Sequence, residues 1–144
     1  MKVAIMGYGT IGSGVAKVLD TNKDIIQERL REPLEIKYIL DLRDFPDDPH
    51  KECFVKDYKD IARDKEIKIV VETMGGVEPA FTFVKAMLEA GKSVTTSNKA
   101  LVADKGAELM KIAKESGVNF VFEAAVGGGI PIIRTLTACL TGDV

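Results

Sequence analysis

The stretch that most constrains this chain is its start, MKVAIMGYGTIGSG. An apolar run of Val3, Ala4, Ile5 and Met6 leads directly into Gly7-Tyr8-Gly9-Thr10-Ile11-Gly12, and apolar residues then recur at helical spacing at Ile11, Val15, Val18 and Leu19. The pattern reads as strand, glycine turn, helix. Gly7 permits the tight turn, Gly9 lets a pyrophosphate approach the backbone, and Gly12 lets the helix lie close to the strand. Phosphates would rest on the N–H groups that a helix N-terminus leaves unpaired. Glycines can also serve a turn for its backbone conformation alone. The position behind a strand and ahead of a helix favours a dinucleotide.

Helical periodicity continues through Ile25, Ile26 and Leu30 until Pro33 stops it, so one long first helix is expected. EIKYIL, residues 35–40, alternates as a strand and ends at Asp41. In a dinucleotide fold an acidic side chain here accepts hydrogen bonds from the adenosine ribose, although the usual gap from the glycine turn is only about 20 residues. Arg43, two residues on, is placed to neutralise a 2′-phosphate instead. The pair leaves both NAD and NADP open, with NAD favoured, and a solvent-exposed turn is the alternative for both residues.

Residues 45–53 read as a loop, 57–63 as a short helix and 67–72 (IKIVVE) as a buried strand. That strand runs into Thr73-Met74-Gly75-Gly76, and Pro79 then stands in the first turn of a helix with the apolar face Phe83, Val84, Met87 and Leu88. Gly91 closes this helix, residues 93–97 (SVTTS) form a strand, and Asn98-Lys99 open the next crossover, whose helix is expected over 104–116. Residues 119–123 form a further strand, followed by the turn AAVGGG and a helix to Leu140. About six strands alternating with crossovers call for the α/β class and a doubly wound parallel sheet of the Rossmann type. Loops at the carboxyl ends of such strands gather at one crevice, so Gly7 to Gly12, Asp41, Thr73 to Gly76, Ser97 to Lys99 and Glu123 to Gly129 should converge.

Composition narrows the function classes. The chain has 144 residues, enough for one domain with a substantial core, and 46% hydrophobic residues with no membrane-length apolar segment. Its 20 basic and 22 acidic residues are interspersed, which gives no basic footprint for nucleic acid or an anionic membrane. The start lacks the apolar core of a signal peptide, and Cys53 and Cys139 form no Cys-x-x-Cys pair, so a cytoplasmic location is expected. His50 lies near Asp47, Asp48 and Cys53 in a proline-broken acidic stretch that reads as solvated loop rather than as a metal site.

Four crevice segments together resemble the nucleotide-binding domain of homoserine dehydrogenase: GYGTIG, VETMGGVEPA, VTTSNKAL and FEAAVGGGIPII, in the family's order and at about its spacing. The resemblance implies reversible, NAD(P)-dependent interconversion of L-homoserine and L-aspartate 4-semialdehyde, in threonine and methionine biosynthesis. It assigns the pyrophosphate to Gly7, Tyr8, Gly9, Thr10, Ile11 and Gly12, a place along the cofactor to Thr73 and the neighbouring Ser97, and contact with both nicotinamide ribose and substrate to Lys99. It also makes Glu123, with backbone carbonyls at Val126, Gly128 and Ile130, a monovalent-cation site for sodium. Members of the family carry a further domain for catalysis and dimerisation. The chain resembles the cofactor-binding domain alone over residues 1–144, so it is expected to bind dinucleotide without turning over substrate, the full-length protein being a homodimer.

Residue chemistry makes parts of this plausible independently. An ammonium at Lys99, behind a strand ending in the crevice, can hydrogen-bond a carbonyl oxygen or relay a proton, although a surface lysine opening a helix fits the sequence too. A buried Glu123 needs a partner, and a cation held by oxygens, a salt bridge or a helix cap would each satisfy it. Two other functions stay open: another amino-acid dehydrogenase, such as aspartate or aspartate-semialdehyde dehydrogenase, or a non-enzymatic dinucleotide-sensing module. The semialdehyde enzyme needs a nucleophilic cysteine, and neither Cys53 nor Cys139 has a histidine in a suitable motif.

Overall fold

The computed structural model describes residues 1–122. Its elements run β1 (Lys2–Met6), α1 (Thr10–Thr21), α2 (Lys23–Leu30), β2 (Glu35–Leu40), β3 (Phe54–Val55), α3 (Tyr58–Arg63), β4 (Ile67–Glu72), α4 (Ala80–Glu89), β5 (Ser93–Thr96), α5 (Lys99–Ser116) and β6 (Phe120–Val121). The six strands form one sheet in the order β3-β2-β1-β4-β5-β6, and every neighbouring pair is parallel. This is the doubly wound order shared by dinucleotide-binding sheets, in which the chain reverses direction of travel between β1 and β4.

β1 shows why the sheet needs helices on both faces. Val3 and Ile5 point to one side, where they pack with Val15, Ala16 and Leu19 of α1 and Ile26 of α2. Ala4 and Met6 point to the other, into a core with Val84 and Met87 of α4 and Leu101 and Leu109 of α5. A strand apolar on both faces has no solvated side, so its period-2 pattern disappears and the run reads as continuous. Each fully buried Ile, Leu or Met contributes about 1.5–3 kcal/mol to holding the three layers together.

Besides shifts of one residue, such as Pro79 standing just ahead of α4 rather than in its first turn, three differences from the sequence expectations stand out. The first helix is not continuous: Asn22 leaves helical geometry (φ −103°, ψ 18°), its side-chain amide donates to the Val18 carbonyl, and its own carbonyl starts α2 by accepting from Ile26. α5 starts at Lys99 rather than Asp104, because the Asn98 side chain accepts from the Leu101 amide at 3.1 Å and caps the helix there. β3 lies just past the loop, where two residues, Phe54 and Val55, pair with Ile39 and Leu40. Residues 45–53 are loop, with one 3-10 turn at Lys51–Cys53, but they are not merely solvated: Phe45 stacks on Phe54 at 4.9 Å. Among the described residues, no helix is long and apolar enough to cross a membrane.

Leu109 is fully buried between α5 and the sheet. Leu109→Ala is expected to lower unfolding stability by about 3 kcal/mol, read as a lower urea midpoint with an unchanged slope.

Candidate functional site

The carboxyl ends of β1 and β4 meet at the reversal point, and a short set of hydrogen bonds holds their loops together. The Gly7 amide donates to the Leu40 carbonyl at 2.8 Å, and the Thr73 amide donates to the Met6 carbonyl at 2.9 Å. The Thr73 hydroxyl then donates to the Gly7 carbonyl at 2.8 Å. Gly7 has φ +95°, a conformation that L side chains rarely adopt, and a Cβ on it would fall 2.9 Å from Met74 Cγ. Gly12 is required for a different reason: a Cβ there would lie 1.9 Å from the Gly7 carbonyl oxygen. α1 therefore rests directly on the turn.

Gly9 faces open space, with nothing within 4 Å of where a Cβ would stand. The first bond of α1 runs from the Ser13 amide to the Gly9 carbonyl at 3.0 Å, so the Thr10, Ile11 and Gly12 amides precede the helical ladder. The first turn holds no acidic side chain. Bare backbone, unladdered amides and the positive end of a helix dipole fit a pyrophosphate.

Tyr8 contributes differently from its neighbours. Its amide is taken by Asp41 Oδ2 at 2.9 Å, and its ring turns away from the turn to stand edge-on to Phe45 and Phe54. Its hydroxyl donates to Asp48 Oδ2 at 3.0 Å, and burial pushes the phenol up to about 12. Tyr8 thus fastens the glycine turn to the loop of residues 45–53. His50 of that loop pairs with Asp20 of α1 at 2.8 Å. No group of three or more His, Cys, Asp or Glu among the described residues is arranged to hold a metal ion.

Asp41 and Arg43 are engaged with each other. Asp41 Oδ1 accepts from the Arg43 backbone amide and Nε, and Oδ2 accepts from Arg43 Nη2, at 2.9–3.0 Å. The guanidinium holds the Asp41 carboxyl down at about 2. Lys56, which follows β3, donates to the backbone carbonyls of Asp41 and Arg43 at 3.1 and 2.7 Å. Beside this pair lies a cavity of about 300 Å³ whose apolar wall is Leu40, Leu42, Met74, Pro79 and Phe83. An apolar wall flanked by polar groups suits a heterocyclic base.

On the other side of the reversal point, Ser97 donates its amide to the Glu72 carbonyl at 3.2 Å, which seats the end of β5 beside Thr73. Lys99 is the exposed first residue of α5. Glu72, the last residue of β4, is fully buried, and burial pushes its carboxyl up to about 7. Gly7 to Gly12, Asp41, Thr73 and Ser97 thus share one rim, with Lys99 beyond it. The expected cation site at Glu123, Val126, Gly128 and Ile130 lies outside the described residues. Sequence reasoning passed over Glu72, although a carboxylate closing the apolar run IKIVV carries the same signal that drew attention to Glu123. It also passed over Lys56, which enters the site only through β3.

Comparison with known proteins places this geometry in a family. The family model described as homoserine dehydrogenase, NAD binding domain, matches residues 7–123. The homoserine dehydrogenase of Lactococcus lactis is 39% identical over 99% of the chain and 35% of that protein. That of Bacillus subtilis is 38% identical over 99% of the chain and 34% of that protein. A solved homoserine dehydrogenase from Thiobacillus denitrificans superposes with a TM-score of 0.80 at 37% identity, covering 98% of this chain and 33% of that one. A hyperthermophilic archaeal homoserine dehydrogenase in complex with NADPH gives 0.72 at 27% identity, covering 94% and 47%. The chain spans about a third of the length of the curated relatives it matches.

Because Asp41 titrates below its ordinary value, its contribution to stability is present above pH 3.8 and disappears as pH falls through about 2. Its partner is exposed, so the contribution is discounted to about 1 kcal/mol. Acid unfolding followed by circular dichroism should show Asp41→Asn losing that much less stability than the parent chain between those limits.

Proposed function

The chain belongs to the homoserine dehydrogenase family as its NAD-binding domain, and from that premise we propose that it binds a nicotinamide dinucleotide across the β1–β4 reversal point. The parent activity is reversible hydride transfer between L-homoserine and L-aspartate 4-semialdehyde. The observation that carries this reading is the open backbone at Gly9 beneath the unladdered amides of Thr10 to Gly12. When bound, the nicotinamide supplies or accepts the hydride. The chain's own residues hold the pyrophosphate at the start of α1, seat the adenosine beside Asp41 and the Leu42–Phe83 wall, and keep the rest of the cofactor along Thr73 and Ser97. Lys99 hydrogen-bonds the substrate oxygen and exchanges its proton.

The cofactor is NAD rather than NADP. Asp41 directly follows β2 and is ionised at any physiological pH, and a ribose hydroxyl donates to it by displacing an Arg43 hydrogen bond. A 2′-phosphate would meet that carboxylate. Arg43 and Lys56 are cations beside that carboxylate, and both are engaged, Arg43 Nε and Nη2 with the Asp41 carboxylate and Lys56 Nζ with the Asp41 and Arg43 carbonyls.

Fluorescence titration of this chain is expected to give saturable binding with NADH at least about tenfold tighter than NADPH. Tighter NADPH would reassign Arg43 to the 2′-phosphate, and no binding of either would reduce residues 7–12 to a structural turn. Asp41→Ala, which frees Arg43, should narrow or reverse the preference. In a longer family member carrying this sequence, Lys99→Ala is expected to lower kcat about 100-fold or more while leaving the dinucleotide Kd nearly unchanged. Unchanged turnover would remove Lys99 from the chemistry.

A further inference from the structure

The crevice contains a second carboxylate to which dinucleotide binding assigns no role. Glu72 is fully buried and has no cation beside it: its titration is moved by burial and hydrogen bonds, with no charged side chain among the described residues contributing. Its Oε1 accepts from the Met74 amide at 2.6 Å, and its Oε2 accepts a short hydrogen bond from the Thr96 hydroxyl. The Asn98 side chain also hydrogen-bonds it. These partners come from three different segments: the loop after β4, the end of β5 and the residue capping α5.

Asn98 extends the connection in both directions. Its Nδ2 donates to the Gly76 carbonyl at 2.6 Å, and its Oδ1 accepts the Leu101 amide at 3.1 Å. Glu72 and Asn98 together therefore tie the loop of residues 73–76 to the first turn of α5, where Lys99 stands. Thr73 of the same loop is bonded to the Gly7 carbonyl.

We propose that Glu72 is a positioning residue of the dinucleotide crevice: its ionised carboxylate braces the loop after β4 against the start of α5, and uptake of one proton loosens that brace. The inference rests on the dinucleotide reading above. The ionised form accepts every donor aimed at it, and hydrogen bonds to a charged acceptor are the stronger kind. A protonated carboxyl must itself donate. Its neighbour Thr96 Oγ1 already accepts the Asn98 amide at 3.0 Å, so the threonine hydrogen has to turn away and the bridge to β5 weakens. The facing groups, Met6 on β1, Thr96 on β5 and Asn98 ahead of α5, are all neutral. Nothing in the described shell therefore replaces the lost charge.

Stability alone gives no reason for a glutamate here. A carboxyl pushed up to about 7 stabilises the fold fully below pH 4.5, and that contribution is lost as pH rises through about 7. The ionised brace is thus the form that costs stability, a pattern more often found at working sites than in structural cores.

The test pairs NADH titrations of the chain and of Glu72→Gln, from about pH 5.5 to about 8.5, with the Met74 amide NMR shift of the unsubstituted chain over the same range. The expected result is affinity about fivefold weaker at the acid end, the Met74 amide moving with the same midpoint, and a glutamine variant that binds weakly and without that pH dependence. The variant also controls for pH effects that arise elsewhere in the chain. A glutamine variant with the parent affinity and profile overturns the inference, as does a Met74 amide that moves while affinity stays flat. Should the variant fail to fold, the unsubstituted chain decides: a stationary Met74 amide refutes the brace. Absence of NADH binding at every pH overturns the dinucleotide reading, and this inference with it.

Discussion

The Gly7 carbonyl is the point on which the site depends. It accepts the Thr73 hydroxyl from one side, and from the other it is covered so closely by Gly12 that a single methyl there would collide with it. One oxygen therefore fixes three things together: the height of α1 above the sheet, the separation of the loops after β1 and β4, and the direction of the amides at the helix start. The two cores on either face of the sheet hold the layers, but hydrophobic burial is non-directional and cannot aim a peptide group. This contact can, because any bulk at Gly12 would lift α1 and tilt the amides of Thr10 to Gly12 with it.

How much of this was legible in the sequence depended on whether the signal was local. IKIVVE announces a buried strand by side-chain type and EIKYIL a strand by alternation, and the structure gives both the expected bounds, Ile67–Glu72 and Glu35–Leu40. The glycine spacing likewise encodes Gly7 and Gly12, since each answers to atoms set by the turn itself. The break at Asn22 was hidden, because the apolar residues on both sides keep helical spacing and a single asparagine can bond its own preceding turn. β3 was hidden for another reason. Two residues carry no periodicity, and Phe54 and Val55 become a strand only because β2 offers them an edge.

The mutual engagement of Asp41 and Arg43 was half legible. Each residue type has its own established use at the end of β2, and reading them separately made them competitors. In space they form one unit, with two oxygens facing the fork of a guanidinium and the Tyr8 amide closing the carboxylate from the other side. Their spacing in the chain allows this only through a tight turn after β2, which Lys56 secures by bonding both backbone carbonyls. The sequence could not show that turn, because the residue that secures it follows an unseen strand.

Asp41 follows β2 and Glu72 ends β4, the two strands that flank β1, and the fold treats them in opposite ways. Asp41 has a guanidinium within hydrogen-bond distance and is held at about 2; Glu72 has only neutral donors in a fully buried place and is pushed up to about 7. Two carboxyl groups one register position apart across β1 thus acquire opposite titration behaviour from their surroundings. On the β2 side the charge is permanent, which suits discrimination between a ribose hydroxyl and a phosphate, a choice that should not vary with conditions. On the β5 side the charge changes within the neutral range, and the hydrogen bonds it controls run to the loop after β4 and to the residue before Lys99. The proposed recognition at Asp41 and the proposed adjustment at Glu72 thus lie on opposite sides of the same glycine turn, and the Thr73 hydroxyl on the Gly7 carbonyl is one of the bonds that join them.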